Sequence, residues 1–280
     1  MSVISENSAV QSALRRCRGN VAAAFALLAR PVRGNIREPW PIDWRQVGIA
    51  SGVGLVVLVI GMIVLDGPIM RAVAHAPRSF VWFFDQITDF GLSGWFLWPL
   101  GLFFLSLAAL PVTLTRIPQL VLAAIMVRVG FLFAAIGLPG LFDTVIKRLI
   151  GRARPTALPV IDPYAFHPFG WNSSFASLPS GHATTAFAAL VAFGTLWPRS
   201  RTAFLVYAVL IAISRVVVSG HYPTDVLAGA VVGSVGAMMV RYWFALRHLG
   251  FSVGPDGAVH QWPGPSIKRV KAVARAVLAE

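Results

Sequence analysis

Three short polar islands interrupt a chain that is otherwise mostly apolar: Lys147-x6-Arg154-Pro155, then Pro179-Ser180-Gly181-His182, then Ser214-Arg215-x5-His221-x3-Asp225. Among them they hold three fixed cations, two imidazoles and one carboxylate. Phosphoryl transfer needs that inventory: cationic donors around the phosphate oxygens, a nucleophile, and an acid for the leaving group.

Lys147 and Arg154 are seven residues apart, close to two helical turns, so on one continuous helix both would face a single anion. Pro155 pushes Arg154 away from helical geometry and marks the expected helix exit. Asp143, four residues before Lys147, can hold its ammonium as an i, i+4 pair. Taken alone, basic residues just outside a membrane helix are usually headgroup contacts. Pro179-Ser180-Gly181-His182 directly precedes the apolar run Ala183 to Leu196 and so sits at a helix N-terminus. Free N–H groups and the positive end of the helix dipole attract an anion there. Ser180 is expected to cap and donate, Gly181 to let the backbone approach an oxygen, and His182 to add a titratable group. In the third island, Pro223 can open a helix, and His221 and Asp225 stand four residues apart. A carboxylate one turn from an imidazole can hold its Nδ1–H and leave Nε2 free to attack. The plain alternative is an aspartate capping a helix beside an interfacial histidine.

The elements that must position these islands are membrane helices. Of 280 residues, 56% are hydrophobic and only 12% charged, and the mean hydropathy is +0.71, far beyond an ordinary soluble domain. Apolar runs of about twenty residues, the length of a span, fall at roughly 47 to 65, 91 to 114, 120 to 142, 183 to 198, 203 to 219 and 224 to 245. The expected fold is therefore all-α, a polytopic six-helix transmembrane bundle. Residues 1–46 and 246–280 flank the spanning domain 47–245 as cytoplasmic N- and C-terminal segments.

Orientation follows from the basic residues outside the islands. Arg15, Arg16, Arg18, Arg30, Arg33, Arg37 and Arg45, then Arg199 and Arg201, then Arg247, Lys268, Arg269, Lys271 and Arg275 mark the cytoplasmic side. The loop from Asp66 to Phe90 carries Asp66, Asp85 and Asp89 against Arg71 and Arg78 and faces outward. All three islands then share the outer, periplasmic or extracellular, face of the cell membrane.

Lys and Arg outnumber Asp and Glu by 24 to 11, a net charge of +13. In a membrane chain this excess points to anionic lipid rather than to nucleic acid. Val10, Leu14, Val21, Phe25 and Leu28, and again Ile267, Val270, Val273 and Val277, recur at helical spacing beside basic clusters and read as amphipathic helices on the leaflet. The apolar run Val21 to Ala29 behind Arg15, Arg16 and Arg18 imitates a signal peptide, but lies behind a polar leader and lacks a small-residue cleavage site. A lone cysteine, Cys17, excludes an intrachain disulfide and a cysteine-based zinc site. Arg128, inside the third run, is expected to find a structural partner. Trp82, Phe83 and Phe84, and the aromatics between Thr156 and Leu178, read as interfacial anchors. His167 ranks below His182 as an acid.

In order and spacing the islands resemble the signature of the membrane-bound type 2 phosphatidic acid phosphatases, relatives of bacterial acid phosphatases and vanadium haloperoxidases. Every signature position is matched, and the likeness in layout covers roughly residues 47 to 245. The resemblance implies a site at the outer membrane–water boundary that works without a metal or other cofactor. It implies that His221 attacks to form a phosphohistidine, Asp225 orients it and His182 protonates the leaving oxygen. Lys147, Arg154, Arg215, Ser180 and the Gly181 amide would hold phosphate oxygens. Without the resemblance, the residues leave open which histidine attacks.

The expected activity is hydrolysis of the terminal phosphate of a membrane lipid. Phosphatidic acid, phosphatidylglycerophosphate, a polyprenyl diphosphate and phosphorylated lipid A all fit, and nothing in the residues selects among them or fixes an oligomeric state. The rivals are a phosphotransferase that passes the group to a second acceptor, and a non-catalytic lipid-binding or transport protein. The latter predicts lost motif residues, and none is missing.

Overall fold

The computed structural model describes residues 2–32, 44–110 and 115–278. Arg33, Arg37 and the last four residues of the second expected span, 111–114, lie outside the described residues. The helices are α1 (Ser2–Leu28), α2 (Trp44–Gly61), α3 (Gly67–Ala74), α4 (Arg78–Thr88), α5 (Gly94–Ala108), α6 (Arg116–Ile150), α7 (Gly181–Leu196), α8 (Arg201–Val217), α9 (Pro223–Leu246) and α10 (Ile267–Leu278). A short antiparallel hairpin of β1 (Phe251–Val253) and β2 (Val259–Gln261) pairs Ser252 with His260.

Five helical stretches are long and apolar enough to cross a membrane: Arg45–Ala74, Arg78–Ala108, Arg116–Ile150, Pro198–Val217 and Pro223–Leu246. This is a multi-pass membrane protein. Large apolar side chains such as Val53, Val56, Val57 and Ile60 of α2 are exposed on the protein surface, which is stable only where lipid covers them. The run expected at 183 to 198 forms α7, which has 16 residues and reaches about 24 Å at 1.5 Å per residue. That is shorter than the roughly 30 Å hydrocarbon layer.

The segment from Asp66 to Phe90, expected as a loop, is helical. The first stretch passes through a π-helical turn, Met62–Asp66, into α3, and α4 follows the break at Pro77. Scattered charges hide α4 from an apolar-run reading, yet one face is consistent. Phe84 and Thr88, four apart, are buried while Trp82 and Phe83 are exposed.

The chain forms two compact units. The first comprises Met1–Asn35, Phe96–Phe133 and Arg241–Glu280. In it, Val21, Ala24 and Leu28 of α1 pack against Phe104 and Ala108 of α5 and Met126 and Val129 of α6. The amphipathic helix expected here thus turns part of its apolar stripe to a protein core, while Val10, Leu14 and Phe25 remain exposed. In α10 Val273 is buried and Ile267 exposed. Arg128 has the structural partners expected of it, donating to Ala124 O at 2.8 Å and Trp262 O at 2.9 Å.

The second unit comprises Ile36–Trp95 and Ala134–Val240. Its centre is α7, whose Ala183, Thr184, Thr185, Ala186, Ala188, Ala189 and Ala192 are all buried. Such small side chains let neighbouring backbones come close. Ala186 and Phe187 pack on Ala208 and Ile211 of α8. On α9, Gly229 and Gly233 lie so near the carbonyls of Ser180 and Thr184 that a β-carbon at either would collide with them.

Candidate active site

All three islands lie in this second unit. The third owes its spacing to a return loop. Arg215 sits in the last turn of α8, Ser219 adopts a left-handed φ of 54°, and the amides of Gly220 and His221 both fold back on Arg215 O at 3.0 and 3.1 Å. Gly220 has no β-carbon to obstruct the Arg215 guanidinium lying against it. Five intervening residues therefore bring His221 back beside the helix end it left. Asp225, in the first turn of α9, accepts the Tyr222 amide on Oδ2 at 2.9 Å, the acidic half of a capping box.

His221 is buried, and its Nδ1 lies 2.8 Å from the Ser177 carbonyl. A carbonyl can only accept, so Nδ1 carries a proton, and in the neutral ring Nε2 then keeps its lone pair. The direct Nδ1–Asp225 hydrogen bond expected from the four-residue spacing is not formed. The Asp225 Oδ2 distance is 3.8 Å, too long for a hydrogen bond. The carboxylate instead accepts the Ser177 hydroxyl at 2.6 Å, because its oxygens are also claimed by the Tyr222 amide and by Arg152. Burial pushes the His221 imidazole below its ordinary pKa, against the opposing pull of Asp225.

In the first island Lys147 pairs with buried Asp143 at 2.5 Å, as the i, i+4 spacing anticipates. The expected continuous helix to Arg154 is not observed. It stops at Ile150, where Gly151 takes a φ of +65° and its amide closes on Lys147 O at 3.0 Å. A β-carbon at Gly151 would run into the His167 carbonyl, so this left-handed exit requires glycine. Beyond it the chain is extended, with Ala153 N bonded to Ala165 O at 2.9 Å and Arg154 N to Ser174 O at 2.8 Å. Residues two apart on such a strand share a face, and both Arg152 and Arg154 act on Asp225.

Ser180 occupies the N-cap position of α7, but its side chain does not cap. Its amide bonds Asp225 O at 2.9 Å, tying the second island to the third, while Oγ is buried without a partner. The helix capping expected of Ser180 is therefore absent, and its hydroxyl is available. A β-carbon at Gly181 would stand 3.1 Å from Lys147 Nζ, so the lysine head lies over the start of the helix. One at Gly91 would meet the His182 ring at 2.8 Å, so that glycine makes room for the imidazole. His182 lies within electrostatic reach of Arg215, His221, Lys147 and Arg154.

The islands thus converge. Arg154 Nε, Arg215 Nε and Ser180 Oγ are buried side-chain donors with no partner, and the first-turn amides of α7 have no intrahelical acceptor. Such a set suits a tetrahedral oxyanion. Among the described residues no three His, Cys, Asp or Glu side chains cluster as a metal site would require. Four residues here were not singled out from the sequence: Ser177, Thr88, Arg152 and Asp66. Thr88 Oγ1 accepts from Arg215 Nη1 at 2.7 Å, and Asp66, expected in an outer loop, is fully buried against Arg152 at 2.7 Å. The available signals were an acid at the end of an apolar run and two arginines, Arg148 and Arg152, inside the Lys147–Arg154 gap. His167 is exposed beside Phe175, with ring centroids 5.5 Å apart.

Residues 128–249, which contain every island, match the PAP2 superfamily. The chain is 33% identical over 230 residues to a lipid A 1-phosphatase of Rhizobium johnstonii, covering 79% of this chain and 92% of that protein. It is 32% identical over 224 residues to a lipid A 1-phosphatase of Rhizobium etli, covering 80% and 93%. Among solved structures, a transmembrane PAP2-type phosphatidylglycerolphosphate phosphatase from Bacillus subtilis aligns at 22% identity with a TM-score of 0.47, over 68% of this chain and 94% of that one.

Proposed function

The chain belongs to the PAP2 superfamily of membrane phosphatases, and from that premise we propose that it hydrolyses the 1-phosphate of lipid A. The observation that carries a phosphatase reading is the meeting of the three islands: Arg154, Arg215, Lys147 and His221 all lie within electrostatic reach of His182. Arg154 Nε, Arg215 Nε and Ser180 Oγ are buried without a partner, and His221 turns Nδ1 to a carbonyl, which in the neutral ring leaves Nε2 free. The lipid A assignment is supported by relatives matched along 92% and 93% of their own lengths.

In this reading His221 Nε2 attacks phosphorus as the bond to the lipid oxygen breaks, and His182 gives that oxygen a proton. Water then attacks the phosphohistidine, losing its proton to His182, and inorganic phosphate leaves with His221 restored. Lys147, Arg154, Arg215, Ser180 and the Gly181 amide hold the oxygens whose charge grows in each step, and Asp225 steadies His221. Burial favours the neutral imidazole that attack requires. No metal is needed in this scheme.

The catalytic body is residues 47–245, with α7 as a sixth, short crossing. Basic residues keep the flanks 1–46 and 246–280 in the cytoplasm, beside anionic lipid, and the site opens on the outer face of the inner membrane.

The test is a panel of lipid phosphates given to the purified protein in detergent: lipid A, phosphatidic acid, phosphatidylglycerophosphate and a polyprenyl diphosphate. The expected result is release of inorganic phosphate from lipid A, with mass spectrometry locating the loss at position 1. Preference for another lipid would overturn the substrate assignment. A newly phosphorylated acceptor without free phosphate would make the protein a transferase.

A further inference from the structure

Within the first island Arg152, two residues before Arg154, differs from it in having its hydrogen bonds complete. Arg152 is fully buried, and all five of its N–H donors are used. Nε and Nη2 donate to Pro163 O at 3.0 and 2.9 Å, Nη2 also to Asp66 Oδ2 at 2.7 Å, and Nη1 to Thr224 Oγ1 at 2.9 Å and Asp225 Oδ1 at 2.6 Å. Its guanidinium lies 4.3 Å over the Tyr222 ring. Asp66 in turn accepts the Thr224 amide at 3.1 Å and hydroxyl at 2.6 Å, so it also caps α9 from outside. It is placed to do so at the end of a π-helical turn, a distortion that shifts a side chain out of the α-helical period.

Asp225 is therefore held through both oxygens: Oδ1 by Arg152, Oδ2 by the Ser177 hydroxyl and the Tyr222 amide. A carboxylate so fixed cannot rotate. Ser177, whose hydroxyl it holds, presents the carbonyl that accepts His221 Nδ1–H. We propose that Arg152, clamped by Asp66, is a positioning residue for phosphoryl transfer, setting through Asp225 and Ser177 both the orientation and the electrostatic environment of His221. The proposal rests on the reading of His221 as nucleophile.

Two buried charges of opposite sign, one behind the other, make the idea sharper than a structural role. The other groups acting on the His221 ring are Asp225 on α9, Arg215 on α8, Arg154 on the extended segment after α6 and His182 on α7. Of these only Asp225 bonds the clamp, through Arg152 Nη1, so altering the clamp reaches the ring through Asp225 and leaves the other three charges unsubstituted. Arg152→Gln removes a positive charge one carboxylate away, which makes His221 easier to protonate. Asp66→Asn removes a negative charge on the far side, which makes it harder. Inside a protein such charges are felt strongly.

The experiment measures kcat, KM and the acid limb of the pH–rate profile on purified R152Q, D66N, R152K and S177A, with H221A alongside, each checked for folding by thermal melting. R152Q should lower kcat about 10- to 100-fold, the range for residues that orient a reacting group, with KM nearly unchanged and the acid limb moved to higher pH. D66N should move that limb to lower pH, and R152K should keep the parent limb and part of kcat. A merely structural role would reduce the amount of folded protein and leave both limbs in place. Unmoved limbs in folded R152Q and D66N, or limbs moving the same way, overturn the proposal. Where R152Q does not fold, D66N and S177A decide, and parental kcat and limb in both likewise overturn it. An active H221A would sink the nucleophile reading instead, whereas a dead H221A with unmoved limbs sinks this inference alone.

Discussion

Arg152 and Arg154 leave the same extended segment on the same face, yet they meet opposite surroundings. Arg152 has every donor satisfied, by two carboxylates, a hydroxyl and a carbonyl. Arg154 keeps a buried Nε with no hydrogen-bond partner, as do Arg215 Nε and Ser180 Oγ, and its charge is met only at a distance, by attraction to Asp225 against repulsion from Arg148. One region is complete without substrate and the other is not. A closed polar network fixes geometry, whereas unmet buried donors cost stability until an anion arrives. In the proposed mechanism the difference separates residues that hold the site together from residues that would hold the phosphate, although both kinds are arginines within three positions of sequence.

The comparison can be broken by substitutions two residues apart. Arg152→Met strands Asp66 and Asp225 as uncompensated buried charges, and removing one partner of such a cluster costs about 3–5 kcal/mol. Thermal melting in detergent should show the loss, and an unchanged melting temperature would make the network ornamental. Arg154→Gln should do the reverse. It should cut kcat/KM by roughly 10²–10³-fold, the scale of losing one charge-stabilising donor, while the melting temperature moves much less than in R152M, because Arg154 Nε bonds nothing and only its attraction to Asp225 is lost. A destabilised R154Q with intact kinetics would exchange the two arginines' roles. Ser180→Ala gives the smallest signal: about 3- to 10-fold in kcat/KM, one neutral hydrogen bond's worth, with no change in melting, since its Oγ bonds nothing in the resting protein. A clear fall in stability there would mean the hydroxyl has a structural partner.

The residues proposed for phosphate binding were legible in the sequence as candidates, and the network behind them was not. Lys147, His182 and Arg215 announce themselves as charges or imidazoles at the ends of apolar runs, and the Asp143–Lys147 pair is local enough for helical spacing to reveal it. Arg152, by contrast, meets Asp66 across 86 residues and Asp225 across 73. No periodicity encodes pairings that distant. Asp66 looked like a loop acid because a π-helical turn carries the first span past it. The exit at Gly151 was missed because proline at 155 gave the louder signal, whereas the left-handed glycine does the terminating. The amphipathic face of α4 was diluted by Arg78 and Asp85. Ser177 could not be foreseen, since its role depends on a backbone carbonyl that only the fold brings to His221.

The return loop between α8 and α9 behaves as a gauge block. A single carbonyl, that of Arg215, receives the amides of Gly220 and His221 together, so the gap between the cation and the imidazole is set by closure of two hydrogen bonds rather than by helical pitch. Lengthening it by one residue would leave an amide unmet and carry the ring past the Ser177 carbonyl; shortening it would remove the left-handed step at Ser219. Because the same few residues aim both groups, an insertion or deletion here would, in the proposed mechanism, disable anion capture and nucleophilic attack in one stroke.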